Sequence, residues 1–354
     1  MRVAFYAPLK SPAHPVPSGD RRMARLLIAA LRAAGHEVAV ASDFRSYDGT
    51  GDPARQQALA AEGAAEAARV LARLASAPPD LWFTYHLYHK APDWLGPPVC
   101  RALGLPYVVA EPSHAPKRAG GPWDLGYRAA AAAIGEARLV LCLTRHDLAC
   151  VAPLVSGRLE WLPPFIDAAP FLAAPRSEGR GRLLAVGMFR HGDKLESYRR
   201  LGAALARLDG ADWRLTVVGD GPARPEVEAA LGPRADFLGE VRLEAMPAIL
   251  GAADLYVWPA AGEAYGMALL EAQAAGLPVV AGRERGVPDV VLDCESALLT
   301  PPGDAAAFAA AVRRLLDDGA LRRDMGSRAR AFVREGRDLP AAASRLAGWL
   351  DGLG

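Results

Sequence analysis

Residues 254–281 read D-L-Y-V-W-P-A-A-G-E-A-Y-G-M-A-L-L-E-A-Q-A-A-G-L-P-V-V-A, and the order of signals within them decides the fold. Leu255–Trp258 is a short apolar run that predicts a buried strand. Met267–Ala275 predicts a helix, Gly276 ends it, and Pro278–Ala281 is a second apolar run. Strand, helix and strand in that order, with neither strand alternating polar and apolar, point to a parallel sheet covered on both faces. Glu263 falls in the loop at the carboxyl end of the first strand. Tyr265, Gly266 and Met267 open the helix, whose free N–H groups and positive dipole end suit an anion such as a diphosphate. Glu271 lies only about 7 Å further along the axis at 1.5 Å per residue, so both carboxylates can face one ligand. The plainer alternative makes Glu263 a helix-capping acid and Glu271 a surface residue.

The same alternation extends outward in both directions. Toward the N-terminus, Arg2–Pro8 predicts a strand, 20–34 an amphipathic helix, and Glu37–Ser42 a second strand. Apolar runs at Leu81–Tyr85, Tyr107–Ala110 and Leu139–Leu143 then alternate with alanine-rich helical segments. The proline-rich W-L-P-P-F-I-D at 161–167 predicts the interdomain linker. Beyond it, runs at 183–186, 213–218 and 237–238 alternate with helices near 198–208, 224–231 and 244–251, before helices over 305–317, 321–335 and 339–353. The chain reads as α/β, with two Rossmann-like parallel-sheet domains, residues 1–166 and 167–338, facing a cleft. Open parallel sheets bind ligands beyond the carboxyl ends of their strands, so the cleft is where a site is expected.

Composition narrows the function. The chain has 354 residues, 51% hydrophobic and 23% charged, and its 41 basic side chains nearly balance 40 acidic ones. A net charge of +1 offers no overall field for nucleic acid. Cys100, Cys142, Cys150 and Cys294 lie far apart with no C-x-x-C pair, which argues against a zinc ribbon or disulfide scaffold and for small buried hydrophobes. Lysine occurs only at 10, 90, 117 and 194, and alanine is abundant, a bias that fits a GC-rich bacterial genome. The apolar start ends at Pro8 and is too short for a signal peptide or a membrane span, so a cytoplasmic protein is expected.

Several motifs together resemble retaining glycosyltransferases of the GT-B architecture, in particular their family 4. The segment Glu263–Glu271 is similar to that family's E-x7-E signature. Supporting it in order are the Ser18-Gly19 loop, G-H-E-V at 35–38, P-P-F-I-D at 163–167, V-G-D-G-P at 218–222, F-L-G at 237–239 and G-L-P-V-V-A at 276–281. The resemblance implies transfer of a sugar from a nucleoside diphosphate donor to an acceptor hydroxyl with retention of configuration. It also implies that Glu263 contacts the transferred sugar and Glu271 the ribose hydroxyls. Arg190 and Lys194, in V-G-M-F-R-H-G-D-K, would grip the donor diphosphate, although Met188 stands where the family usually has arginine. Gly219 and Gly221 join Tyr265, Gly266 and Met267 as donor-side candidates. His114 is nearest to the family's sugar-contacting histidine, with the spacing altered to E-P-S-H. The terminal segment 339–354 would cross back onto the first domain.

On the acceptor side, three loops follow strand ends and offer Ser18 and Gly19, His86, and Glu111, Ser113, Lys117 and Arg118. Competing chemistries are weaker. V-G-D-G-P lacks the third glycine of a dinucleotide fingerprint, no P-loop occurs, and no D-x-D metal clamp is present. No metal and no other cofactor is therefore expected. Arg21, Arg22, Arg25 and Arg32 make the first helix basic, which allows a peripheral contact with anionic lipid at the inner membrane face. Two other functions remain open: a nucleotide-sugar epimerase or hydrolase of the same fold, and a non-catalytic nucleotide-sugar-binding subunit.

Overall fold

The computed structural model describes residues 1–177 and 179–353, which form two compact units. One comprises Met1–Pro163 with Leu339–Gly354, the other Pro164–Asp338. Gly354, the last residue of the terminal segment, lies outside the described residues.

The first unit contains β1 (Arg2–Tyr6), α1 (Gly19–Ala33), β2 (Glu37–Ser42), α2 (Pro53–Leu74), β3 (Leu81–Tyr85), α3 (Gly96–Leu103) and β4 (Tyr107–Ala110). After these come α4 (Asp124–Glu136), β5 (Leu139–Cys142), α5 (Arg145–Val151) and β6 (Arg158–Trp161). Its six strands pair in parallel in the order β2-β1-β3-β4-β5-β6. β3, β4 and β5 are buried along their whole length, as their unbroken apolar runs require. Buried Asp93 ties β3, β4 and the start of α3 together. Its carboxylate accepts from Thr84 Oγ1 at 2.6 Å, Tyr107 Oη at 2.8 Å and the Leu95 and Gly96 N–H groups at 2.8 and 2.7 Å.

The second unit contains α6 (Ala169–Leu172), β7 (Arg182–Val186), α7 (Asp193–Leu205), β8 (Arg214–Val218), α8 (Arg224–Leu231), β9 (Ala235–Gly239), α9 (Met246–Ala252) and β10 (Leu255–Trp258). It is completed by α10 (Met267–Ala274), β11 (Val279–Gly282), β12 (Ala297–Thr300), α11 (Ala305–Asp317) and α12 (Gly319–Gly336). Its sheet is also six-stranded and parallel, in the order β12-β11-β10-β7-β8-β9. The last helix, α13 (Leu339–Leu350), packs on α1 of the first unit and buries Ala342, Ala343, Leu346 and Leu350.

Both sheets change direction of growth at one place, between β1 and β3 in the first unit and between β7 and β10 in the second. Crossovers leave opposite faces there, which opens a crevice at the strands' carboxyl ends. The β7–β10 ladder pairs only Leu255 with Leu183 and Tyr256 with Leu184. It is pinned at its start by a bidentate ion pair, Arg182 Nη2 to Asp254 Oδ1 at 2.8 Å and Nε to Oδ2 at 3.0 Å.

The structure differs from the sequence reading at three places. Arg158–Trp161 is a strand, β6, at the sheet edge, although R-L-E-W carries two charges and none of its residues is fully buried. A second strand unforeseen in the sequence, β12, closes the opposite unit's edge. The third difference concerns α7, which begins at Asp193 rather than near Tyr198, so Lys194 stands in the first turn of a helix and not in a loop.

Candidate functional site

The crevice between β7 and β10 is built by aromatic packing beneath two close backbone approaches. Phe189, Tyr198 and Trp258 are buried and meet edge to face, with ring centroids 5.2 Å apart for Phe189–Tyr198 and 5.1 Å for Tyr198–Trp258. Tyr198 donates its hydroxyl to Gly187 O at 2.8 Å, fixing the turn that leaves β7. The β8–α8 turn supports the same segment from the side. Gly187 N donates to Val218 O at 3.0 Å, Phe189 N to Asp220 O at 2.9 Å, and Ala223 N to Phe189 O at 3.0 Å. Gly219 and Gly221 are glycines for this reason. A Cβ on Gly219 would lie 1.9 Å from Gly187 O, and one on Gly221 would lie 2.4 Å from Phe189 O. The two residues thus shape the loop that carries the basic pair.

On this platform the loop after β10 comes against the N-terminus of α7. Gly262 adopts φ +61°, and a Cβ there would sit 2.2 Å from Asp193 Oδ2. The contact brings the next residue, Glu263, to Lys194: Nζ donates to Oε2 at 2.5 Å. Trp258 Nε1 donates to the same oxygen at 3.1 Å, and the Lys194 ammonium lies 5.3 Å from the Trp258 ring centroid. Both charged side chains are largely covered, Lys194 27% and Glu263 15% exposed, so this is not a solvated surface pair. Gly266 caps α10 in the left-handed region at φ +81°, where a Cβ would press on Glu263 Cγ at 3.3 Å. Met267 follows as the first residue of α10, and Tyr265 is buried. Glu271 lies further along α10 and is also buried, only 3% exposed, which is incompatible with the surface alternative. Arg190 is exposed, and among the described residues its guanidinium makes no hydrogen bond or ion pair.

In the first unit the switch between β1 and β3 holds a cluster of titratable groups. His86 follows β3, Glu111 follows β4, and both stand at positive φ, +61° and +52°. His86 Nδ1 lies 3.3 Å from Asp20 Oδ1 and 4.0 Å from Glu111 Oε1. Burial is the main cause that pushes the Glu111 carboxyl up, to about 7, with nearby Asp20 and Asp147 adding to it. For His86, burial opposes the imidazolium, but Glu111 first and then Asp20 outweigh it and raise its pKa. Ser113 Oγ donates to Asp147 Oδ1 at 3.4 Å.

The remaining sequence candidates have mainly local contacts. Ser18 caps α1, its Oγ accepting from Arg21 N at 3.2 Å, and Gly19 is the helix's exposed first residue. The His114 ring stacks on Tyr127 at 5.3 Å, and burial lowers its pKa. Lys117 and Arg118 lie in a single 3₁₀ turn, with Arg118 over the Trp123 ring. On α1, Arg21 donates to His14 O, Arg25 to Pro12 O and Arg32 to Val38 O. Among the described residues no helix is long and apolar enough to cross a membrane.

Sequence reasoning assigned Lys194 and Glu263 to different parts of one ligand and did not foresee that they touch. In the sequence Trp258 stands only as the end of a strand. The one available signal was an indole at a strand's carboxyl end, where an N–H donor can reach a loop carboxylate.

Comparison with known proteins bears first on the second unit, where residues 180–318 match the family model described as glycosyl transferases group 1. Alpha-D-kanosaminyltransferase of Streptomyces kanamyceticus is 32% identical over 237 residues, covering 61% of this chain and 61% of that protein. The 2-deoxystreptamine glucosyltransferase of the same organism is 33% identical over 225 residues, 61% of this chain and 56% of its own length. The chain thus spans about three fifths of the length of these two curated relatives. Among solved structures, sucrose-phosphate synthase from Thermosynechococcus elongatus superposes with a TM-score of 0.78 at 22% identity, over 99% of this chain and 98% of that one. Anabaena Alr3699/HepE in complex with UDP gives 0.75 at 17% identity, over 100% of both chains. At these identities the likeness establishes the fold: two Rossmann-like parallel-sheet units, with the terminal helix returned to the first, as in glycosyltransferases of the GT-B type.

Proposed function

We propose that the protein is a retaining glycosyltransferase that moves a sugar from a nucleoside diphosphate donor to an acceptor hydroxyl, without a metal ion. The observation that carries this reading is the Lys194–Glu263 pair at the β7–β10 switch point, backed by buried Glu271 on the helix that opens beside it. Several lines support it. The position is the crevice that open α/β sheets use for ligands, the helix N-terminus of α10 favours an anion, and the matched family model covers both the pair and Glu271.

In this reading Lys194, with exposed Arg190 beside it, stabilises the negative charge that develops on the departing diphosphate. Glu263 orients the transferred sugar, held in place by Trp258 Nε1, and Glu271 accepts the ribose hydroxyls. Gly219 and Gly221 act through the loop they shape. The bond between the anomeric carbon and the diphosphate oxygen breaks as the acceptor oxygen bonds to that carbon on the same face. The acceptor proton passes to the departing phosphate oxygen. Unit one holds the acceptor, with His86 and Glu111 at its own switch point as the polar contacts and His114 nearby in sequence.

The test begins with a thermal-shift screen of nucleoside diphosphates and their sugars, since a ligand of the folded state raises stability by RT ln(1 + [L]/Kd). Transfer from the donor so identified is expected to persist in saturating EDTA and to give a product with the donor's anomeric configuration by NMR. Donor turnover without any acceptor would instead indicate an epimerase or hydrolase. Binding without turnover, across acceptors, would indicate a nucleotide-sugar-binding subunit.

A further inference from the structure

Three cations in the first unit stand together without a carboxylate partner. Lys90 follows β3, and Lys117 and Arg118 follow β4, so all three lie beyond the carboxyl ends of adjacent strands. The Lys90 ammonium is 4.8 Å from the Trp123 ring centroid and the Arg118 guanidinium 5.0 Å, which places the two charges within about 10 Å of each other. That is no more than one Debye length at 0.1 M salt, so solvent ions do not remove their repulsion. Among the described residues none of the three makes an ion pair. The acids nearby are engaged elsewhere: Asp48 accepts from Thr50 N, Thr50 Oγ1 and Gly51 N, and Asp124 accepts from Gly120 N and pairs with Arg128. In a chain with only four lysines, two of them fall in this group.

The donors of the cluster are also unfinished. His89 packs edge to face on the same Trp123 ring at 5.9 Å. Its Nε2 and the Nε of Arg118 are buried and have no hydrogen-bond partner, a costly state for polar atoms unless a ligand completes them. Burial, then Arg118, Lys90 and Lys117, hold the His89 pKa down to about 4. Three uncompensated cations suit a dianion better than a single carboxylate, and an arginine fork with two ammonium groups matches the oxygens of a tetrahedral anion.

We propose that Lys90, Lys117 and Arg118, arranged around Trp123 and His89, bind a phosphate monoester carried by the acceptor. That the phosphate belongs to the acceptor rests on the transfer reading above. The binding site itself does not, and its assay needs no turnover, so failure of one is distinguishable from failure of the other.

The test uses the full chain with ¹³C-labelled histidine, the His89 resonance being assigned with His89→Gln. Glucose 6-phosphate is expected to raise the His89 titration midpoint from about 4 to above about 5, since a bound anion offsets the three cations. Glucose at the same concentration should leave it unchanged. The Lys90→Gln/Arg118→Gln variant, its fold verified by far-UV circular dichroism, should bind glucose 6-phosphate at least tenfold more weakly. If that variant does not fold, the wild-type His89 titration decides alone. Vesicles containing phosphatidic acid form the second arm. Sedimentation with them that depends on Lys90 and Arg118, with no response to glucose 6-phosphate, would keep the site and assign the monoester to a lipid headgroup. A His89 midpoint unmoved by both probes, or binding indifferent to the double substitution, would overturn the proposal.

Discussion

Two short contacts on Glu263 Oε2 define the donor side at the level of single residues, one from Lys194 and one from Trp258. Losing a charge-assisted contact to a departing diphosphate typically costs about 2–4 kcal/mol in the transition state, so Lys194→Ala should lower kcat/KM by roughly 30- to 900-fold. Arg190→Ala should have a smaller effect, because that side chain is exposed and loosely held. Wild-type kcat/KM in both variants would place the diphosphate elsewhere. A second prediction concerns pH. Glu111 and His86 both have raised pKa values in the folded chain, so each contributes stability at low pH that is lost as pH rises through the folded value. For Glu111 the window runs from its unfolded value near 4.5 to about 7. Glu111→Gln removes the carboxylate that burial penalises, so it should raise the melting temperature at pH 8. At pH 5 the gain should shrink, because Glu111 is already mostly protonated there and carries no charge for burial to penalise. An equal shift at both pH values would refute the coupling.

At the level of elements, the turn after β8 controls the loop after β7. Gly219→Ala would bring a Cβ into Gly187 O, a clash with backbone that no rotamer relieves. We expect a loss of about 2–4 kcal/mol in chemical denaturation, with donor affinity falling further because the Lys194 segment must shift. A neutral Gly219→Ala would show that the loop adapts freely. These elements also show what the sequence could disclose. β3, β4, β10 and α8 were legible to the residue because unbroken apolar runs or a proline near the helix start set their limits. β6 was not, since a half-exposed edge strand needs little hydrophobicity, and its pairing with β5 is the decisive stabilising contact. The start of α7 was hidden for another reason. Gly192 leads into it with no side-chain cap, so the usual polar signal is missing. The Lys194–Glu263 contact spans 69 residues and depends on Gly262 approaching Asp193, which no local pattern records.

In the whole molecule, two units each place titratable groups at a sheet's switch point. The first unit depends on the chain's last helix, because α13 covers α1 with Leu346 and Leu350 fully buried. Ending the chain at Asp338 should therefore cost the first unit about 3–6 kcal/mol from those two leucines alone. Calorimetry should show its transition lowered or lost, while that of residues 164–338 changes little. The central claim, that the β7–β10 crevice holds a nucleoside diphosphate, is tested most directly by calorimetric titration with UDP, GDP, ADP and CDP. The full chain should bind at least one of them. Lys194→Ala and Glu271→Ala should each weaken that binding at least tenfold, whereas Glu263→Ala should leave it nearly intact and lower kcat with the full donor. No binding by the parent chain, or equal affinities in parent, Lys194→Ala and Glu271→Ala, would contradict the account.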